Sequence, residues 1–168
     1  ELGIPFRTPA EGHNVAFTSL WDNYPDSLEI PLKGKASRAY LLMAGSTNHM
    51  QCHIDNGVIR IYYKDGTRDV MFLRNPDNWP PIEHIFFEDG LAFNRHTPAL
   101  YRLRLKTGEI SNNFGEELGF PGASRELDGG AAVLLEMPLN PGKKLSHLVL
   151  ETLSNDVVIG LMSITLQR

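Results

Sequence analysis

Leu28-Glu29-Ile30-Pro31-Leu32, followed by Gly34-Lys35 and the run Ala39-Tyr40-Leu41-Leu42-Met43, returns near the far end of the chain. There it reads Leu135-Glu136-Met137-Pro138-Leu139, then Gly142-Lys143 and Leu148-Val149-Leu150. Each copy predicts a short strand ending at a proline, a turn at Gly-Lys, and a second strand. Proline cannot donate to a ladder and therefore marks strand ends. A strand–turn–strand unit stated twice predicts an all-β protein, a two-sheet antiparallel β-sandwich.

The rest of the sequence agrees with that frame. Strand patterns recur at about 14–20, 28–32, 37–45, 57–63, 68–73, 83–88, 91–94, 100–105, 131–137, 145–152 and 156–166, and helical periodicity is nearly absent. Lys64-Asp65-Gly66-Thr67 joins two of these runs and predicts a hairpin, because Asp-Gly supplies the positive φ that a tight turn needs. Glu88-Asp89-Gly90 predicts a second hairpin. Lys106-Thr107-Gly108 ends a strand in which Tyr101, Leu103 and Leu105 alternate. Asn75-Pro76-Asp77-Asn78-Trp79-Pro80-Pro81 reads as a rigid loop, since proline fixes φ and removes a donor. Residues 107–130 form a long connection rich in Gly, Asn and Glu, of a length that in compact domains is usually functional or mobile. The last strand carries Val157, Val158, Ile159, Leu161, Met162, Ile164 and Leu166, apolar on both faces by simple alternation. It is expected either to be central and roofed by the long loop or to pack its outer face on something else.

The chain of 168 residues, 42% hydrophobic and 21% charged, is long enough for one domain with a sizeable core. We expect 1–168 to be a single β-sandwich domain, part of a larger chain. A net charge of -4 argues against nucleic acid and against an anionic membrane surface, both of which select basic proteins. No apolar stretch is long enough to insert across a bilayer. Cys52 is the only cysteine, so no internal disulfide forms.

The repeated Pro-Leu…Gly-Lys strand pairs, the Asp-Gly hairpin and the final Asp156-Val157-Val158-Ile159-Gly160-Leu161-Met162-Ser163-Ile164-Thr165-Leu166 strand together resemble a known group. They are similar to the galactose-binding-like β-sandwich (jelly-roll) modules attached to bacterial polysaccharide-degrading enzymes. They also resemble domains of that shape in large secreted glycoside hydrolases. The resemblance covers roughly 14–167 and rests on strand patterning. It implies a secreted, periplasmic or cell-surface bacterial protein and a neighbouring domain of the same polypeptide as partner. It further implies a glycan as ligand, held by loops at one end of the sandwich, and admits a structural calcium ion but no other cofactor.

Two aromatic–polar clusters fit a sugar ligand. Trp79 lies among Asn75, Asp77 and Asn78 in the proline-rich loop, and Trp21 is followed by Asp22, Asn23 and Tyr24. A sugar ring packs its axial hydrogens on an aromatic face while Asn and Asp bond its hydroxyls, and a rigid loop lowers the ordering cost. Against this stands burial, to which tryptophan by itself tends more: Trp79 as a plug of the sandwich core, Trp21 packed at a strand end.

His49, Cys52 and His53 are the best metal-like set, of zinc type, but their spacing converges on a helix and this stretch reads as strand or loop, so a buried cysteine with two surface or capping histidines is the expectation rather than a metal site. Asp77, Asp89 and Asp128 with nearby Asn residues offer oxygens for calcium without the spacing of an EF-hand. No nucleophile elbow, metalloprotease, phosphate-loop or dinucleotide motif appears. Glu83, Glu88, Glu116, Glu117 and Glu126 are carboxylates of the kind a glycosidase uses, but any acidic protein has as many.

The leading expectation is therefore a non-catalytic carbohydrate-binding or accessory module. A purely structural domain bracing a catalytic neighbour is the second. A jelly-roll lyase or hydrolase is the third, with Tyr40, Arg60, Tyr62, His84, Arg102 and Arg104 gathered on one sheet face. The ligand site is expected near the first copy of the repeat and a docking surface near the second.

Overall fold

A computed structural model describes residues 2–9, 11–48, 50–85, 95–114 and 125–168, with the backbone alone at 84–85 and 125–126. The described residues form twelve strands and no α-helix: β1 (Ala16–Ser19), β2 (Ser27–Pro31), β3 (Arg38–Thr47), β4 (Gly57–Tyr63), β5 (Arg68–Leu73), β6 (His84–Ile85), β7 (Arg102–Arg104), β8 (Ile110–Ser111), β9 (Arg125–Glu126), β10 (Ala131–Pro138), β11 (Leu145–Thr152) and β12 (Val157–Gln167). They pair antiparallel into a six-stranded sheet, β1-β12-β3-β10-β7-β8, a four-stranded sheet, β2-β11-β4-β5, and a small ribbon, β6-β9. The two larger sheets make the expected β-sandwich. No helix is long and apolar enough to cross a membrane.

The doubled phrase is the architecture of this sandwich. In the first copy the chain leaves the four-stranded sheet at β2 and enters the six-stranded sheet at β3; in the second it crosses back from β10 to β11. Each unit is thus a corner between sheets, and the two corners pair with one another. β2 runs against β11 with Leu28 opposite Leu150 and Ile30 opposite Leu148. β10 runs against β3 with Leu135 opposite Leu41 and Met137 opposite Ala39. The reciprocity extends to polar groups. Leu32 N–H donates to Ser146 C=O, and Leu139 N–H donates to Ser37 C=O, each at 2.9 Å. Glu29 faces His147 at 3.7 Å, and Glu136 pairs with Arg38. Matching sequence therefore occupies matching positions about an approximate two-fold relation.

Proline is tolerated at each corner for a local reason. Pro31 sits on the edge strand β2. Pro138 lies beyond Val133, the last residue of β10 that pairs with β7, so no third strand needs its missing N–H.

The core lies between the inner faces. Leu41, Met43, Ile59, Ile61, Leu135, Leu148, Leu150 and Ile159 are wholly or nearly wholly buried there, and Trp79 joins them. The alternation of inward residues follows from the two-residue strand period.

The expected two-faced apolar character of the last strand is corrected by a bulge. The register of β12 against β3 slips between Leu161 and Ser163. Val157, Ile159 and Leu161 face the core before the slip, and Ile164 and Leu166 pack on it after. One extra residue reverses the side-chain phase, so apolar residues of both parities point inward. The outward side of the later half carries Ser163 and Thr165, whose hydroxyls donate to the carbonyls of Arg7 and Pro5. The strand is one place in from the sheet edge, and its outer face is covered by the N-terminal segment, the second of the two expected arrangements.

The Asp-Gly hairpin joins β4 and β5 as predicted, with Gly66 at φ 83°. Asp65 keeps an ordinary φ and instead accepts the Thr67 N–H at 3.0 Å. Lys106-Thr107-Gly108 turns β7 into β8. The strand expected at 91–94, the Glu88-Asp89-Gly90 hairpin and residues 115–124 of the 107–130 connection lie outside the described residues.

Tyr63 closes the end of the sandwich that carries the Gly-Lys turns. Its hydroxyl donates to Asp69 and accepts the Asn140 N–H at 2.8 Å. Burial, reinforced by the Asp69 carboxylate, pushes this phenol up to about 12 from its usual 10.0. Because the folded state holds the proton more tightly, this contribution to stability is complete below pH 10 and fades as pH rises towards 12. Tyr63→Phe is expected to cost about 1–2 kcal/mol in urea unfolding at pH 8, since two partners lose their bond. The same variant should show a shallower stability loss between pH 10 and 12, and absorbance titration should lack the last phenolate step.

Candidate functional site at the loop end

Antiparallel pairing sends six connections to one end of the sandwich: 20–26, 48–56, 74–83, 105–109, 127–130 and 153–156. The two aromatic–polar clusters therefore share an end. They stand at opposite edges of it, since 20–26 enters β2 and 74–83 leaves β5, the outer strands of the four-stranded sheet. Three strand spacings, roughly 14 Å, separate those edges, so the clusters form two sites rather than one groove.

The 20–26 connection is built on a tight turn. Tyr24 N–H donates to Trp21 C=O and Ser19 N–H to Pro25 C=O, both at 3.0 Å. Buried hydroxyls anchor its base. Thr18 bonds Thr152 across the sheets, and Ser19 donates to Val157 C=O, each at 2.7 Å. On this frame Trp21 is 50% exposed and Tyr24 40%. Their rings are tilted at 6.1 Å, and Tyr24 meets Phe17 edge-on at 5.2 Å. Asp22 and Asn23, the two central residues of the turn, are exposed. An aromatic ledge beside free amide and carboxylate groups is what the Trp21, Asn23 and Tyr24 expectation required.

The 74–83 connection departs from its expectation. Trp79 is fully buried and presents no face to solvent. Asn75 is equally buried: its side-chain amide N–H reaches the Cys52 sulfur at 3.5 Å and its backbone carbonyl accepts the His53 N–H at 2.7 Å. Asn78 accepts the Arg74 N–H and donates to Phe72 C=O, holding its own loop closed. The Asn75–Pro76 peptide is cis. Asn75 and Asn78 thus shape the loop, Trp79 fills the core, and the burial alternative is the one the structure carries for Trp79.

Asp77 alone turns towards other functional side chains, and they are not the ones expected. Its Oδ2 lies 3.9 Å from His53 Nδ1 and 3.7 Å from His96 Nδ1. Its Oδ1 accepts the His96 N–H at 2.7 Å, and its backbone carbonyl accepts the Thr97 hydroxyl at 2.8 Å. The two imidazole centroids are 4.7 Å apart. Among the described residues this is the one group of three His, Cys, Asp or Glu side chains close enough to share an ion. Of the His49–Cys52–His53 set the group takes only His53: His49 lies outside the described residues, and Cys52 faces the Asn75 amide. Of the calcium candidates, Asp128 pairs with Lys106 at 2.5 Å, Asp77 sits with imidazoles, and Asp89 lies outside the described residues. His96 had no signal in the sequence, for no spacing ties it to Asp77.

The residues of the lyase reading are scattered. Arg60 pairs with Glu151, and Tyr62 stacks on His147, on the outer face of the four-stranded sheet. Tyr40 bonds Gln167 on the outside of the other sheet. Arg102 donates to the carbonyls of Pro81, Ile82 and Ala131 and is held below the ordinary arginine range, at about 10, by burial. Arg104 lies over Phe114. Glu88, Glu116 and Glu117 lie outside the described residues, and His84 and Glu126 are described in their backbone alone.

One further concavity, of about 360 Å³, runs between the N-terminal segment and the outer face of the six-stranded sheet, lined by Leu2, Ile4, Phe6, Leu42, Leu103 and Ile110 among others. Its lining is mostly apolar, unlike the polar pairing that sugar hydroxyls need.

No family model matches this sequence, and neither the curated proteins nor the solved structures contain a match to it.

Proposed function

We propose that the protein is a non-catalytic glycan-binding module, of the galactose-binding-like type its sequence resembles, acting within a larger extracellular polysaccharide-degrading protein. The observation that carries this reading is the Trp21–Tyr24 turn: two exposed aromatic rings on a hydrogen-bonded loop, with Asp22 and Asn23 between them. The turn is ordered before ligand arrives, which lowers the entropic cost of binding. The ligand site accordingly narrows to Trp21, Asn23 and Tyr24, while the 75–79 loop serves as scaffold.

A glycan array followed by titration calorimetry tests the reading. Trp21→Ala is expected to weaken binding of the selected glycan at least tenfold, equivalent to about 1.4 kcal/mol. Its unfolding free energy should stay within about 1 kcal/mol of the parent, because the indole is half exposed. A protein that binds no glycan, or a Trp21→Ala variant that binds as the parent does, would falsify the assignment.

A further inference from the structure

We propose that His53, Asp77 and His96 form a binding site for a single transition-metal ion of the zinc class. The site is independent of the glycan reading, since it lies at the opposite edge of the loop end.

The donor set is two imidazoles and one carboxylate, which suits zinc and its neighbours and not calcium, whose shell is all oxygen. The ligand atoms all lie within 4.8 Å of one another. Donors around a tetrahedral zinc with bonds near 2.0–2.1 Å stand about 3.3 Å apart. The His–Asp separations of 3.7 and 3.9 Å exceed that by roughly half an ångström, and the two imidazoles, within 4.8 Å of each other, exceed it by at most about 1.5 Å. Small side-chain rotations close such a gap, and the His96 side chain, 64% exposed, is free to make one.

Three features indicate that the cluster is held together by its surroundings. Asp77 is only 13% exposed, and its second oxygen and backbone carbonyl are fixed by His96 and Thr97. Such outer bonds orient a ligating carboxylate. His53 sits at φ 57°, a left-handed conformation uncommon for a residue with a side chain, and its N–H is tied to Asn75. Arg74, whose charge Asp77 also feels, is engaged by Asp55 at 2.5 Å, so that charge is partly answered before an ion arrives. Both imidazoles converge on the same carboxylate oxygen. Lone pairs gathered this closely repel unless a proton or a cation lies among them, and a single divalent ion satisfies all three. With three protein ligands and an exposed side, the fourth position is open to water or to an incoming group.

Calorimetric titration of the chelator-treated full chain with zinc chloride tests the site, alongside the same titration with calcium chloride. Zinc is expected to bind saturably at one ion per chain and to raise the melting temperature, as a ligand specific for the folded state does. His96→Ala should lower zinc affinity at least tenfold, and being exposed it should leave the metal-free melting temperature unchanged. Asp77→Asn, which retains an oxygen for the His96 N–H, should do the same. Absence of saturable one-to-one zinc binding overturns the proposal. So does parental zinc affinity in both variants, or calcium binding of equal strength that the same variants abolish.

Discussion

Trp79→Ala is expected to destabilise the protein by about 3–5 kcal/mol, the usual range for deleting a large aromatic side chain from a packed core. The indole is fully buried within the main cluster, and its six-membered ring abuts Gly45 of β3. The loop that delivers it is fixed on its N-terminal side by Asn75 and Asn78, which limits how far the space left behind can collapse. Trp79→Phe should cost distinctly less. Phenylalanine keeps most of the apolar contact and removes an indole N–H that finds no acceptor among the described residues, a group whose burial is itself unfavourable. Urea unfolding followed by far-ultraviolet circular dichroism checks both variants. If Trp79→Ala were nearly neutral, the ring would not be the core element described above.

The second large effect is expected at Gly45. An added methyl would lie 2.0 Å from the Val158 carbonyl and 2.7 Å from Cζ2 of Trp79. A side-chain obstacle can rotate away, but the carbonyl belongs to the neighbouring strand, paired with β3 along ten positions. Gly45→Ala is therefore expected to cost about 3 kcal/mol, the upper part of the usual range for overpacking. The double-mutant cycle with Trp79→Ala distinguishes the two obstacles. Were the indole the main one, the cavity would accept the methyl and the combined loss would fall well below the sum. With the carbonyl decisive, the two losses add to within about 1 kcal/mol. Combined they approach the whole stability of an ordinary domain, so the cycle is best measured through Trp79→Phe.

These two residues show why the composition of the proline-rich loop left sugar site and core plug both open. Tryptophan beside asparagines and aspartate has the composition of a sugar site. Composition, however, does not record that the chain folds back after β5 and drives the indole over a glycine on the opposite sheet. Trp21 has similar neighbours and the opposite fate, because its turn joins two edge strands and projects past them. The same limit applies to the imidazole cluster. His53, Asp77 and His96 come from three separate segments that no period links, and only loop packing brings them together.

What the sequence determined by itself was the all-β class, the place of nearly every long strand, the Asp-Gly hairpin and the doubled strand–turn–strand unit. Those are local matters: alternation at period two, turn residues with their φ preferences, and proline ending a ladder. The tertiary structure decided what depends on distant partners. It paired the two corners with each other, set the bulge that turns both parities of β12 inward, sank Trp79 into the core while leaving Trp21 at the surface, and gathered two histidines about Asp77. Each of these is a contact between segments far apart in the chain, fixed by strand register and loop packing rather than by any short pattern along it.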